Sequence, residues 1–172
     1  MSVNKQGINV ISVAILLAFC AVAFHAQANE SDEAEIKVLE ANVATSAQAK
    51  DVDAVMKNFV PDETLIVFDV IPPRQCVGAD SFKKNWQGFL DGFKGPVTVE
   101  NSDLQVFADG KLAYAHYIQH VAGTGKDGKP IDITFRMTDV LRKIGGKWLI
   151  VHEHVSVPVD IASGKADLSS KP

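Results

Sequence analysis

The second half of this chain holds four long β-prone runs with a turn dipeptide between each neighbouring pair, and that meander constrains the fold more than any other feature. The runs are Val97 to Phe107, Leu112 to Val121, Ile131 to Ile144 and Lys147 to Val157. Asp109-Gly110, Asp127-Gly128 and Gly145-Gly146 lie between them. Such pairs supply the positive φ of tight hairpins, so the runs read as one antiparallel sheet. Ahead of the meander the periodicity is helical. Ser31 to Ala49 repeats apolar residues at Ile36, Leu39, Val43 and Ala47, with acids at its start, where the helix dipole favours them. A shorter helix follows from Asp51, with Val52, Val55 and Phe59 inward and Pro61 ending it. Thr64 to Val70 is a β-rich run stopped by Pro72-Pro73. Ser81 to Phe93 is a third helix, with Phe82, Trp86, Phe89 and Phe93 on one stripe, closed by Gly95-Pro96. Helices first and a long antiparallel sheet after them make an α+β plan. Strands this long twist, so the sheet is expected to curl around the helices.

The N-terminus sets the context. Lys5 precedes an apolar run from Ile8 to Phe24, and Ala26-Gln27-Ala28 gives the small-x-small pattern that signal peptidase cleaves. The run is short for a spanning helix. Residues 1–28 are therefore expected to be an export signal, with the mature protein periplasmic or secreted and free of the membrane after cleavage. Cys20 raises lipidation as a second reading, but Phe19 is bulky for the position before a lipidated cysteine, and simple cleavage is preferred. Residues 29–160 then form one domain, and 161–172 are expected to be a flexible tail.

Charge and cysteine content narrow the classes further. The first 28 residues carry Lys5 and none of the 21 acidic residues, so the remainder holds 16 basic side chains against 21 acidic ones, a net charge of −5. No basic stripe is present, which argues against a nucleic-acid partner. Cys76 is the single cysteine left after cleavage and cannot form an internal disulfide, so the fold has to hold by packing.

Three stretches carry a family resemblance. They are Phe68-Asp69-Val70-Ile71-Pro72-Pro73 leading to Gly78, then Arg136-Met137-Thr138-Asp139-Val140, and finally the closing run from Gly146 to Pro158, which includes Trp148-Leu149-Ile150-Val151-His152-Glu153-His154. With the helical half, they resemble the nuclear transport factor 2-like superfamily, and most closely its SnoaL-like, ketosteroid isomerase-related group. The resemblance implies a curved antiparallel sheet forming a cone closed by three N-terminal helices, a hydrophobic pocket inside the cone, and a homodimer. It implies no particular reaction, because the fold hosts enzymes and binding modules alike.

Several residues stand out within that frame. By strict alternation, Trp148, Ile150, His152, His154 and Ser156 share one strand face, while Glu153 falls on the aliphatic one. The polar row fits either the pocket or a solvated outer face. His152 and His154 could chelate a metal with a third ligand such as Asp69, Glu153, His116 or His120, but no metal or other cofactor is assigned. Arg136 lies among strand threonines, and if it points inward it needs a carboxylate partner or an anionic ligand. Asp69 fits either as that partner or as a proton-transfer base in an apolar cavity. Trp86 and Phe89 suit the apolar wall or ordinary core.

Ketosteroid isomerase pairs an aspartate base with an oxyanion hole made of a tyrosine and a protonated aspartate. Its tyrosine comes from the helical half, whereas Tyr114 and Tyr117 both fall on a strand here, so matching does not assemble that site. The expectation is that Asp69, Trp86, Arg136, His154 and Ser156 converge on one cavity, and His152 is a further candidate for ligand binding. That cavity binds a small, partly apolar and possibly anionic ligand. The alternative is an isomerase, cyclase or dehydratase using Asp69 or His154 as general base and Arg136 as electrostatic stabiliser. A weaker alternative is a dimeric scaffold.

Overall fold

The computed structural model describes residues 30–170 of the chain. The expected export segment, with Cys20 and the Ala26-Gln27-Ala28 site, lies outside the described residues. Helix α1 runs over 30–48 and buries Ile36, Leu39, Val43, Ala44 and Ala47. Helix α2 (Val52–Met56) is capped by Asp51, whose Oδ1 accepts from the Ala54 N–H at 2.9 Å. This cap satisfies one of the amides a helix start leaves without a partner. Helix α3 (Ala79–Asp91) follows two short strands, β1 (Ile66–Phe68) and β2 (Cys76–Val77). Four long strands then form the meander: β3 (Phe93–Asp109), β4 (Leu112–Gly125), β5 (Pro130–Ile144) and β6 (Lys147–Ser156).

The six strands make one curved sheet in the order β2-β1-β6-β5-β4-β3, antiparallel throughout except where β1 runs parallel to β6. The sheet is unclosed, and the helices cover its concave side. Irregular pairing bends it. In β3 the register shifts between Phe93 and Val97 and again between Ser102 and Gln105, where Asp103 takes φ 54°. Bulges of this kind coil a strand more tightly than regular pairing does. At the first of these shifts a Cβ on Gly123 would stand 2.8 Å from the Phe93 ring and 3.1 Å from the Pro96 carbonyl, so β4 needs a glycine there.

Two departures from the sequence expectation have simple causes. The third helix stops at Asp91, so Phe93 opens β3 and Gly95-Pro96 lies inside that strand. The aromatic stripe survives the change of element: Phe82–Trp86, Trp86–Phe89 and Phe89–Phe93 stand edge to face at 6.2, 6.0 and 5.3 Å between centroids. The expected tail also folds back. Asp167 N–H donates to Pro158 O and Thr134 N–H donates to Leu168 O, both at 2.8 Å, so backbone hydrogen bonds hold the segment past β6 against β5.

Hydrogen bonds tie the helical layer to the sheet. Asp32 Oδ1 accepts from Lys143 Nζ at 2.5 Å and from Trp148 Nε1 at 3.2 Å, joining α1 to the β5–β6 hairpin. Ile150 N–H donates to Asn58 O at 2.9 Å and Val60 N–H donates to Ile150 O at 3.0 Å, stitching the segment after α2 onto β6. Ile150 itself is fully buried. Truncating it leaves a cavity that strand pairing keeps from collapsing. Ile150→Ala is therefore expected to cost about 2–5 kcal/mol, measured by urea unfolding.

Candidate functional site

The concave side of the sheet is mostly apolar, with Gln119 and a group of acids as its buried polar side chains. Helix α1 inserts Glu40 among its buried aliphatic residues. Strand β4 contributes Tyr117, β5 contributes Asp139 between Met137 and Leu141, and β6 contributes Glu153. Glu40 and Asp139 are fully buried, with Glu153 and Tyr117 at 2 and 3 % exposure. The Tyr117 hydroxyl lies 3.1 Å from Asp139 Oδ2 and 3.3 Å from Glu40 Oε2.

One phenol carries one hydrogen, so it can donate to only one of the two carboxylates. Glu40 Oε1 and Asp139 Oδ1 have no donor among the described residues. Two buried carboxylates side by side, sharing one donor, are unstable as a pair of anions, so the group holds at least one extra proton. Electrostatics agree with this count. Burial, partly offset by the hydrogen bonds from Tyr117 and Glu40, puts Asp139 at about 7. Glu40 is pushed well above its ordinary range by burial and then by the Asp139 charge. Glu153 moves the same way through burial and the charges of Asp139, Glu40 and Asp69. The Tyr117 phenol is held well above 10 by burial and by the surrounding acids, so it remains a donor.

Asp69 follows β1 and is half-buried, and its charge reaches Glu153. Burial raises its carboxyl, while the N–H groups of Val70 and Ile71 pull in the other direction. On the wall, Trp86 is 8 % exposed and its Nε1–H has no partner among the described residues. A shallow groove of about 210 Å³ lies elsewhere, bordered by Glu35, Val38, Leu39, Asn42, Asn58, Gly146, Lys147 and Trp148, and touches none of these acids.

The expected convergence of Asp69, Trp86, Arg136, His154 and Ser156 is corrected, and the candidate His152 with it. Asp69 and Trp86 belong to the inner side, but Arg136, His152, His154 and Ser156 belong to the outer one. The cause in β6 is a bulge: Leu141 pairs with Ile150, yet Val140 pairs with His152, leaving Val151 as an extra residue. Trp148 and Ile150 point inward before it, and Glu153 takes the inward place after it. In β5 the alternation is unbroken, and the buried face is Phe135, Met137, Asp139 and Leu141, which puts Arg136 out in solvent. Arg136 and Asp69 form no ion pair among the described residues, and neither Arg136 nor His154 is placed to act inside the cone. His152 Nδ1 donates to Ile66 O at 2.8 Å, fixing that ring on the outer surface. Among the described residues no three histidine, cysteine or acidic side chains are arranged to hold a metal ion.

Sequence reasoning passed over Glu40, Tyr117 and Asp139. The signal was present, since Glu40 sits in phase with Ile36 and Val43, and Asp139 in phase with Met137 and Leu141. An acid at a core position of a periodic pattern marks a buried titratable group.

Comparison with known proteins follows from this architecture. The family model described as SnoaL-like domain matches residues 36–160. The crystal structure of an NTF2-like protein of unknown function from Pseudomonas putida KT2440 is similar at TM-score 0.74 and 28% identity, covering 83% of this chain and 98% of that one. A nuclear transport factor 2-like superfamily protein from Salmonella enterica serovar Typhimurium gives TM-score 0.70 at 20% identity, covering 79% and 97%. A ketosteroid isomerase-like protein from Erwinia carotovora atroseptica gives 0.62 at 18% identity, covering 73% and 95%. No curated protein matches the chain.

Two outcomes test the site as described. Arg136→Met is expected to change stability by less than about 0.5 kcal/mol in thermal melts, as for other solvent-facing positions without a partner. The acids predict a pH dependence of definite sign. Their folded-state affinities for protons exceed the unfolded ones, so folding binds protons, and stability falls as pH rises from about 4, the ordinary carboxyl range, through the Asp139 value near 7. Glu40→Gln removes one buried acid and adds an amide donor, so it is expected to raise the melting temperature at about pH 8 and flatten that slope.

Proposed function

Given that the chain belongs to the SnoaL-like family, we propose that it binds a small, partly apolar ligand within the cone and meets it with the Glu40–Tyr117–Asp139 group. The single observation behind this reading is a tyrosine and two fully buried acids that share too few protons to be neutralised by one another. Burying such a group costs stability that aliphatic residues of similar volume would not, and that cost suits a binding or catalytic centre. The inner face holds acids and, among the described residues, no arginine, lysine or histidine beside them. The ligand is therefore uncharged or cationic, in place of the anion that an inward Arg136 would have favoured.

A second reading is favoured by one specific feature. A carboxyl that titrates near 7 in an apolar surrounding is matched to general acid–base work at neutral pH. Asp139 then exchanges protons with the ligand, Tyr117 donates to an oxygen on it, and Asp69 replaces His154 as the further candidate base. The chemistry would be proton transfer of the isomerase, cyclase or dehydratase type.

Export and dimerisation complete the proposal. The N-terminal segment supports release to the periplasm or medium. The outer face exposes Ile66, Phe68, Val77, Phe107, Leu112 and Tyr114, between 36 and 57 % each. Large exposed apolar residues concentrated on one sheet face suit association with a second copy.

The experiment is native mass spectrometry of protein purified without added ligand, followed by extraction of whatever is retained. An uncharged or amine-bearing molecule held by the wild type and lost from Asp139→Asn is expected. An extracted carboxylic acid or phosphate, or a ligand retained equally by Asp139→Asn, would contradict the proposal. For the catalytic reading, Asp139→Asn is expected to slow proton exchange into the extracted ligand by about 100-fold or more.

A further inference from the structure

The acids and the phenol are not the only polar groups buried on the inner side. Among the described residues three buried side-chain atoms lack a hydrogen-bond partner: Glu40 Oε1, Asp139 Oδ1 and Trp86 Nε1. The first two belong to the acid group. The third comes from helix α3, from a residue 8 % exposed, and stands outside that group.

Packing does not ask for an indole at this position. Phe82, Phe89 and Phe93 make up the rest of the aromatic stripe, and Trp86 stands edge to face with Phe82 at 6.2 Å and with Phe89 at 6.0 Å. A phenyl ring makes such contacts without burying an N–H. The other tryptophan of the described residues shows the ordinary arrangement, because Trp148 Nε1 donates to Asp32 Oδ1 at 3.2 Å. Buried tryptophans usually find a partner of this kind. Trp86 has none, although it lies on the buried face of α3 with Phe82 and Leu90 one turn to either side. A donor kept on an apolar wall, where phenylalanine fills the neighbouring positions, is a cost to the fold that a bound acceptor would remove.

We propose that Trp86 Nε1–H is a ligand-binding donor, and that the molecule held in the cone carries a neutral oxygen acceptor, a carbonyl or hydroxyl, on an otherwise apolar frame. The inference deepens the ligand-binding reading above and rests on it. An indole N–H donates and never accepts, so its partner has to be an acceptor. A carboxylate is unsuited to that place, because the same inner side already buries Glu40, Asp139 and Glu153. The acids set the complementary requirement. The unpartnered oxygens of Glu40 and Asp139 call for a donor wherever they are ionised. The ligand class is therefore a small ketone or alcohol that also bears an N–H or O–H group, and Trp86 selects for its oxygen.

Two matched probes test this in proton–nitrogen NMR spectra of the indole N–H groups. 4-Aminoacetophenone has a carbonyl acceptor and an amine, and 4-isopropenylaniline has a CH2 group in place of that carbonyl oxygen. The ketone is expected to move the Trp86 Nε1–H signal downfield and to bind about tenfold more tightly than the alkene. The Trp148 signal, held by Asp32, is expected to stay in place. Trp86→Phe keeps the row of rings and deletes the donor, so both probes are expected to bind it with the preference gone. Equal affinity for the two probes in the wild type, or a preference that survives in Trp86→Phe, overturns the inference. So does a Trp86 signal that the ketone leaves unmoved, the result for an N–H already satisfied by a trapped water. The acid-centred reading survives each of these results provided Asp139→Asn weakens both probes. Binding of neither probe at millimolar concentration overturns both. The wild-type comparison needs no variant, so it decides the matter even where Trp86→Phe does not fold.

Discussion

The arrangement of this protein depends on a shortage of protons inside an apolar shell. Glu40, Tyr117 and Asp139 come from a helix and two strands and meet where water is excluded. Each element would pack more stably with an aliphatic residue at that position. The sheet has to curve and the helix has to lie across its concave side for the three to touch. The β3 bulges and the close passage of Gly123 past Phe93 and Pro96 supply the curvature. Asp32, bound to Lys143 and Trp148, anchors the start of the helix that carries Glu40.

The same sheet separates two chemistries by face. Inward positions hold acids in an apolar setting, where charge is disfavoured and protons are retained. Outward positions hold imidazoles, aromatics and arginine, with acids kept to the margins. Unbroken alternation along β5 maintains the division there, so that Thr138 and Asp139, adjacent in sequence, serve opposite sides. The ligand proposed for the cone would therefore meet the inward side chains of the same strands whose outward side chains form the exposed face.

Much of this was legible from sequence, and the part that was not has a local cause. The helix periods, the three hairpin dipeptides and the closing strand gave the α+β cone with boundaries close to those observed. The face of β6 was misassigned because Val151 is an added residue, and a bulge leaves no mark on an alternating pattern. The inward reading of Arg136 assumed a polar pocket wall, although the alternation Phe135, Met137, Asp139 already put the arginine on the other side. Glu40 and Asp139 read as isolated acids within helical and strand periods, and nothing local in the sequence pairs either with Tyr117. Their meeting joins residues 77 and 22 positions apart, and only the folded chain brings them together.

The central claim is that the cone interior holds a carboxyl group still protonated near neutrality. Carboxyl carbon-13 NMR titration of the folded protein, with Asp139→Asn to assign the resonance, measures it directly. The account predicts that the Asp139 signal moves with a midpoint near 7. A midpoint at the ordinary aspartate value of about 4 would contradict it.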